Sequence, residues 1–381
     1  GTGRAPRRAA PPTARWPARA LLLLAPLLLQ PHLGGTPHTA PRGPRGSAAA
    51  AAAAAAPGPK RLMYMIAMFD TRQAMYTVAA LNAIADICAS SLYNVTVVLH
   101  TSRELEQSDR RVLERALLCS EAPGGQVPLV IEVCSQCKYE LTVEHRKYMR
   151  QHIDEADLFL YSEDDMVLTL STLRAWEREL DIIKRERPDD YRDIMPGFLR
   201  YENPVMCSND HTIKSIASTV GYERVMWEYR SHELYAARLR EGGERMIFTK
   251  NPHQALWLLS REQVLYLEDK CGFLTSTNRP KGFELTIRVW MSSAQLVRGC
   301  GMIRLVPLDR MELFLVHHAP DKNSWRQRAH RVTLDSFRSL VAAKFEANDA
   351  LDFRRLQSLV ASRALGRAKG RDKRGLITLE E

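Results

Sequence analysis

The segment Asp157-Leu158-Phe159-Leu160-Tyr161 runs an apolar stretch straight into Ser162-Glu163-Asp164-Asp165. Three consecutive carboxylates repel one another, and a cation or basic partner must offset that repulsion. A hard divalent ion held by carboxylates does so. It can also bridge to phosphate oxygens and neutralise a diphosphate as it departs. Two acids from one short turn suffice, because a phosphate-bearing ligand brings further oxygens of its own. The blander alternative is a solvated turn whose acids cap the helix that follows.

Chemistry of this kind needs a scaffold that holds the acids in place. From Lys60 the chain alternates between strand and helix patterns. Strands are expected at Leu62–Phe69, Asn94–His100, Val127–Val133 and Asp157–Tyr161. Helices are expected at Thr77–Cys88, Ser108–Leu118, Glu144–Ile153 and Ser171–Arg185, the last with Leu173, Trp176, Leu180 and Ile183 on one face. Ile194–Tyr201 reads as another strand, Met246–Leu259 as one or two, and Met302–Val306 and Leu313–Val316 as late strands. Ser260 with Gln263 forms a capping box for the helix after it. Phe283, Ile287, Trp290, Ala294 and Val297 make a second helical face, with Gly299 as its C-cap. Strands alternating with helices imply parallel pairing in an α/β sheet. Ligands of such sheets bind beyond the carboxyl ends of the strands, where Glu163, Asp164 and Asp165 stand.

On these residues the chain resembles the GT-A glycosyltransferases, in which an acidic Asp-x-Asp type motif closes the fourth strand. The resemblance covers residues 60–320. It implies an α/β fold with a single Rossmann-type mixed sheet flanked by helices. It also implies Mn²⁺ or Mg²⁺ as cofactor and a nucleotide-sugar donor, with a glycan or glycoprotein hydroxyl as acceptor. Asp165 would bind the metal, Glu163 would bind it through water or hold the donor ribose, and Asp164 would lie near the sugar. Glu163 stands where that motif usually has Asp, which departs from the pattern. Arg146, in the helical stretch Glu144-His145-Arg146, would face the nucleotide diphosphate. Glu284, in Gly282-Phe283-Glu284, would be the base that deprotonates the acceptor; the alternative is a first-turn acid stabilised by the helix dipole. The loop Asn251-Pro252-His253-Gln254 and Trp257 would contact sugar or acceptor, with a core role for Trp257 as the alternative. A late histidine from Phe314-Leu315-Val316-His317-His318 would complete the metal site. Strand alternation turns only one of the pair inward, and His317, opposite in facing to Val316, is the expected one.

Composition narrows the alternatives. The net charge of +10 is concentrated at the start: residues 1–69 hold nine basic side chains and no acid, leaving 45 basic against 44 acidic residues thereafter. No basic stripe with interleaved aromatics marks a nucleic-acid groove. Arginines 4, 7, 8, 15 and 19 precede the apolar run Ala20–Leu29, which is too short for a membrane span and fits a signal peptide or weak signal anchor. The Pro/Ala-rich stretch that follows, with nine alanines from Ala48, reads as a disordered stem. The expected organisation is therefore a leader and stem over 1–59, a catalytic domain over 60–320 and a helical, basic extension over 321–381. The location is the Golgi or endoplasmic reticulum lumen, with plastid or mitochondrion as the alternative. Seven cysteines are present, and the lone Cys134-x-x-Cys137 pair suits a disulfide or buried thiols better than zinc. Two other functions share the acidic site: a nucleotidyltransferase and a sugar-nucleotide-binding module without turnover. The first wants a Gly-rich phosphate loop after the first strand, where this chain has Phe69-Asp70-Thr71-Arg72.

Overall fold

β1 (Lys60–Met68) is apolar along almost its whole length because both faces of its sheet are covered. Leu62, Tyr64, Ile66 and Met68 enter one hydrophobic cluster, and Met63, Met65 and Ala67 enter another on the opposite face. This period-two division recurs in β4 (Leu158–Glu163), where Leu158 and Leu160 face the first cluster and Phe159 and Tyr161 the second. The computed structural model describes residues 58–69, 74–137, 141–203, 225–226, 234–240, 242–249, 255–275, 290–320, 332–347 and 350–360. All of them belong to one compact unit, Gly58–Glu381.

The first sheet has the order β11-β4-β1-β2-β3, with β2 at Tyr93–Thr101, β3 at Leu129–Val133 and β11 at Leu256–Ser260. β1 to β4 run parallel, and β11 adds to the β4 edge antiparallel. α1 (Ala74–Ala89) and α4 (Leu170–Glu186) cover one face. α4 begins where the Thr169 hydroxyl accepts from the backbone N–H of Thr172, and it buries Leu173, Trp176, Leu180 and Ile183 as the sequence pattern predicts. The other face is covered by α3 (Leu141–Gln151), α5 (Arg261–Cys271) and the π-type helix Trp290–Gly299. α5 opens with the expected Ser260–Gln263 capping box and ends on Gly272 in the left-handed region at φ 62°.

The architecture is mixed α/β, as expected, but the described strands form three sheets instead of one. β6 (Ile194–Pro196), β12 (Ile303–Pro307), β10 (Arg245–Thr249) and β9 (Leu234–Arg238) make the second sheet. β14 (Val332–Thr333), β8 (Val225–Met226), β7 (Leu199–Glu202), β13 (Leu315–His318) and β5 (Met166–Val167) make the third. The single strand expected over 194–201 is thus divided between two sheets. Gly197 sits at the division, where a Cβ would come within 2.5 Å of the Arg304 side chain. A side chain there would block the close approach that lets the chain change sheets.

The described residues beyond 320 pack into the same core. Helix Leu334–Glu346 buries Phe337 and Val341 beside Leu199 and Phe314. Helical residues 353–360 bury Phe353, Leu356 and Val360 against the second sheet. The expected Gly299 C-cap differs in detail: Gly299 closes the π-type helix, and the left-handed glycine is Gly301 at φ 76°.

Candidate functional site

β4 delivers the acids. It runs in parallel register with β1, so Ser162 lies beside Ile66 and Glu163 beside Ala67. On its other side Leu256 pairs with Ser162, and the Glu163 amide donates to the Ala255 carbonyl at 2.8 Å. The Tyr64 and Ser162 hydroxyls share a hydrogen bond of 2.6 Å below the turn. Burial, and after it the nearby Asp164 and Asp165 charges, push the Tyr64 phenol up against the pull of Ser162. The strand extends two residues further than its apolar run predicts, through Glu163. Glu163, Asp164 and Asp165 are each 3% exposed or less. They form a buried acidic turn, and the solvated-turn alternative does not hold.

The third sheet closes over that turn. β5 follows it at once and pairs antiparallel with β13, so His318 lies beside Met166. The Ala319 amide donates to the Asp165 carbonyl at 2.9 Å and ties the two segments. β13 also pairs in parallel with β7, setting His317 beside Tyr201. The result is a line of three side chains. His318 Nε2 lies 3.1 Å from Asp165 Oδ2, across 153 positions of sequence, and His318 Nδ1 lies 2.5 Å from Glu202 Oε1. Burial works against a charge on His318, but the hydrogen bonds to Asp165 and Glu202 outweigh it and hold the imidazole above its ordinary value. Arg200, two positions before Glu202 on β7, is also buried and opposes that charge.

The inward histidine is therefore His318, not the expected His317. β13 begins two residues later than predicted, after a 3₁₀ segment over Leu308–Phe314, and its register sends the odd-numbered side chain away from Asp165. The His317 ring stacks on Tyr201 at 5.1 Å, and its Nε2 lies 3.2 Å from Asn203 Nδ2.

The other expected residues are distributed differently. Arg146 is buried on α3, its guanidinium 2.5 Å from Gln295 Oε1 and stacked 4.6 Å over the Phe273 ring. Burial lowers its pKa to about 9. Trp257 lies on β11 at 2% exposure, stacked on Tyr161 and edge-on to Phe273. That is the core role left open by the sequence. His253 and Glu284 lie outside the described residues.

Sequence reasoning missed Glu202 and Arg200. The signal for Arg200 was a charge inside the expected strand Ile194–Tyr201; Glu202 lies one residue beyond that expected strand, which in fact runs through it. The cysteines resolve cleanly among the described residues. Disulfides join Cys88–Cys119, Cys134–Cys137 and Cys271–Cys300, so the Cys134-x-x-Cys137 pair is oxidised and not a thiolate site. Cys207 lies outside the described residues.

No protein-family model matches the sequence, and no curated protein matches it. Among solved structures the fold is similar to the crystal structure of S. aureus TarS residues 1–349, with a TM-score of 0.34 and 9% identity over 64% of this chain and 57% of that one. It is also similar to the apo structure of the WbbM bifunctional glycosyltransferase, with a TM-score of 0.27 and 10% identity over 56% of this chain and 34% of that one. The chain thus spans little more than half the length of the first and about a third of the second. Likeness at this level assigns no activity.

Proposed function

We propose that this chain is a metal-dependent glycosyltransferase of the GT-A type, moving a sugar from a nucleotide-diphosphate donor to a hydroxyl of a glycan or glycoprotein. The observation that carries the reading is the approach of His318 to Asp165 at 3.1 Å, at the carboxyl end of the fourth parallel strand. Nothing local in sequence brings them together; three strand pairings do.

The donor set fits Mn²⁺ or Mg²⁺ held by mixed ligands. Asp165 offers carboxylate oxygen and His318 offers imidazole nitrogen, a combination suited to Mn²⁺. Glu202 faces His318 Nδ1, and by accepting its proton it presents Nε2 towards Asp165. A bound divalent ion supplies Lewis-acid stabilisation of a departing diphosphate. Glu163 and Asp164, buried beside Asp165, would hold the donor ribose and sugar. Glu284 would take the acceptor proton, and His253 would contact sugar or acceptor. The hydrogen bonds to Asp165 and Glu202 favour a proton on His318, and an ion bound at Nε2 would compete with that proton.

An oxidising lumen, Golgi or endoplasmic reticulum, is proposed as the location. Three disulfides among the described residues support it, since such bonds are rare in reducing compartments. A tagged full chain found in plastids or mitochondria would refute that location. Activity is tested by incubating the protein with Mn²⁺ and a panel of nucleotide sugars while following released nucleotide. Release that stops with chelator is expected. With pyrophosphate added, nucleoside triphosphate and sugar 1-phosphate in place of nucleoside diphosphate would point to a nucleotidyltransferase, and tight donor binding without any release to a binding module.

A further inference from the structure

A cavity lies between α3 and the β2–β3 side of the first sheet. His100, Glu132, Val133 and Cys134 from β2, β3 and the residue after it line this cavity of about 300 Å³, with Glu144, Lys147, Tyr148 and Gln151 of α3 opposite. We propose that this cavity binds an uncharged polyhydroxylated ligand of about monosaccharide size.

The first argument is the face of α3. Residues 144, 147, 148 and 151 fall at i, i+3, i+4 and i+7, a single stripe of the helix. It borders the buried face of α3, with Glu144 and Tyr148 half-buried and Lys147 and Gln151 exposed. Here Leu141 and Met149 pack into the core, while the adjoining stripe presents a carboxylate, an ammonium, a phenol and an amide to the cavity. The sheet answers in kind, with His100 and Glu132 side by side in the β2–β3 register.

The second argument is His100. It is 2% exposed, and its Nε2 has no hydrogen-bond partner among the described residues. Burial lowers its pKa to about 4, so the ring is neutral at physiological pH. A buried ring nitrogen without a partner costs free energy until something hydrogen-bonds to it. A ligand hydroxyl does so with either tautomer, since it both donates and accepts.

The third argument is charge. Two carboxylates stand against one ammonium in the lining, which disfavours phosphates and nucleotides. The mixture of acceptors (Glu132, Glu144), donor (Lys147) and two-way groups (Gln151, Tyr148, His100) matches a ring of hydroxyls. The volume sits at the small end of ligand pockets, roughly 300 Å³. The walls are held in advance: the Cys134–Cys137 disulfide fixes one side, and Tyr148 is stacked on His152 at 4.1 Å.

The test is saturation-transfer NMR on the full chain with the methyl glycosides of glucose, galactose and mannose. Saturable binding of at least one is expected, weakened about tenfold or more in Glu144→Leu, where a hydrogen bond to a charged group is lost. Lys147→Met, an exposed position unlike the buried His100, should also weaken it without disturbing the melting temperature. Asp165→Asn should leave it unchanged. No saturable binding of any glycoside, equal binding in both α3 variants, or displacement by a nucleoside diphosphate would each overturn the proposal. Glycoside binding without nucleotide release from any donor would leave this site standing while the glycosyltransferase reading failed.

Discussion

Two groups of buried acids are built into this molecule, and their counter-charges differ. Glu179 on α4 is fully buried and ion-paired to Arg310 at 2.8 Å, with Glu244 on the same guanidinium at 2.6 Å. Arg310 carries a permanent charge. That cluster is a structural tie between α4, the 3₁₀ segment and the second sheet. At the acidic turn, Asp165 is met instead by an imidazole, whose charge is set by a proton that can leave. A buried acid against arginine is committed to the fold. A buried acid against histidine can exchange its partner for a metal ion.

Substitution separates the two. The largest effect is expected at Asp165→Asn, which should lower nucleotide release on the order of a hundredfold or more while keeping the fold. Undiminished turnover in chelator would show that the turn holds no catalytic ion. Next comes His318→Ala, which should weaken Mn²⁺ affinity about 10–100-fold in calorimetry. His317→Ala should leave that affinity unchanged; the reverse pattern would mean that β13 is out of register. Arg310→Leu should act on stability alone, costing about 2 kcal/mol in urea denaturation. The figure falls below that for a fully buried pair because Arg310 is 36% exposed. Kinetics per folded molecule should not move.

The last effect is a pH slope. Burial, then Glu244, raise the Glu179 carboxyl to about 7 despite Arg310. The folded state therefore keeps a proton that the unfolded chain loses from about 4.5 upward. Stability from this group falls as pH rises through that window and levels off above about 7, by at most about 1.4 kcal/mol per pH unit. Glu179→Gln should flatten that part of the profile. A slope unchanged in this variant would place the titrating group elsewhere.

What the sequence showed and hid follows from the range of the forces involved. β1 and β4 were legible because strands buried on both faces need unbroken apolar runs, β2 because Val95-Thr96-Val97-Val98 is β-branched, and α4 because one face of it must be apolar. The Ser260–Gln263 capping box was legible because its two hydrogen bonds are local. The third sheet was not. β5 and β8 have two residues each, too few for any period to register. The break at Gly197 depends on where Arg304 comes to lie, more than a hundred positions away. The choice between His317 and His318 depends on which edge of β13 meets β5 and β7, and strand alternation alone carries no such information.

The late arrival of β13 has a consequence for synthesis. The four parallel strands of the first sheet leave the ribosome before residue 170, and they are in sequence reach of one another early. Their acidic turn must wait for about 150 further residues, at some 5–20 residues per second, before its histidine exists. During that interval the carboxylates face only water and whatever cations the compartment supplies. A ribosome-stalled chain ending at residue 310 should therefore resist protease over its first sheet yet leave the turn open to digestion. Release of the full chain should close it.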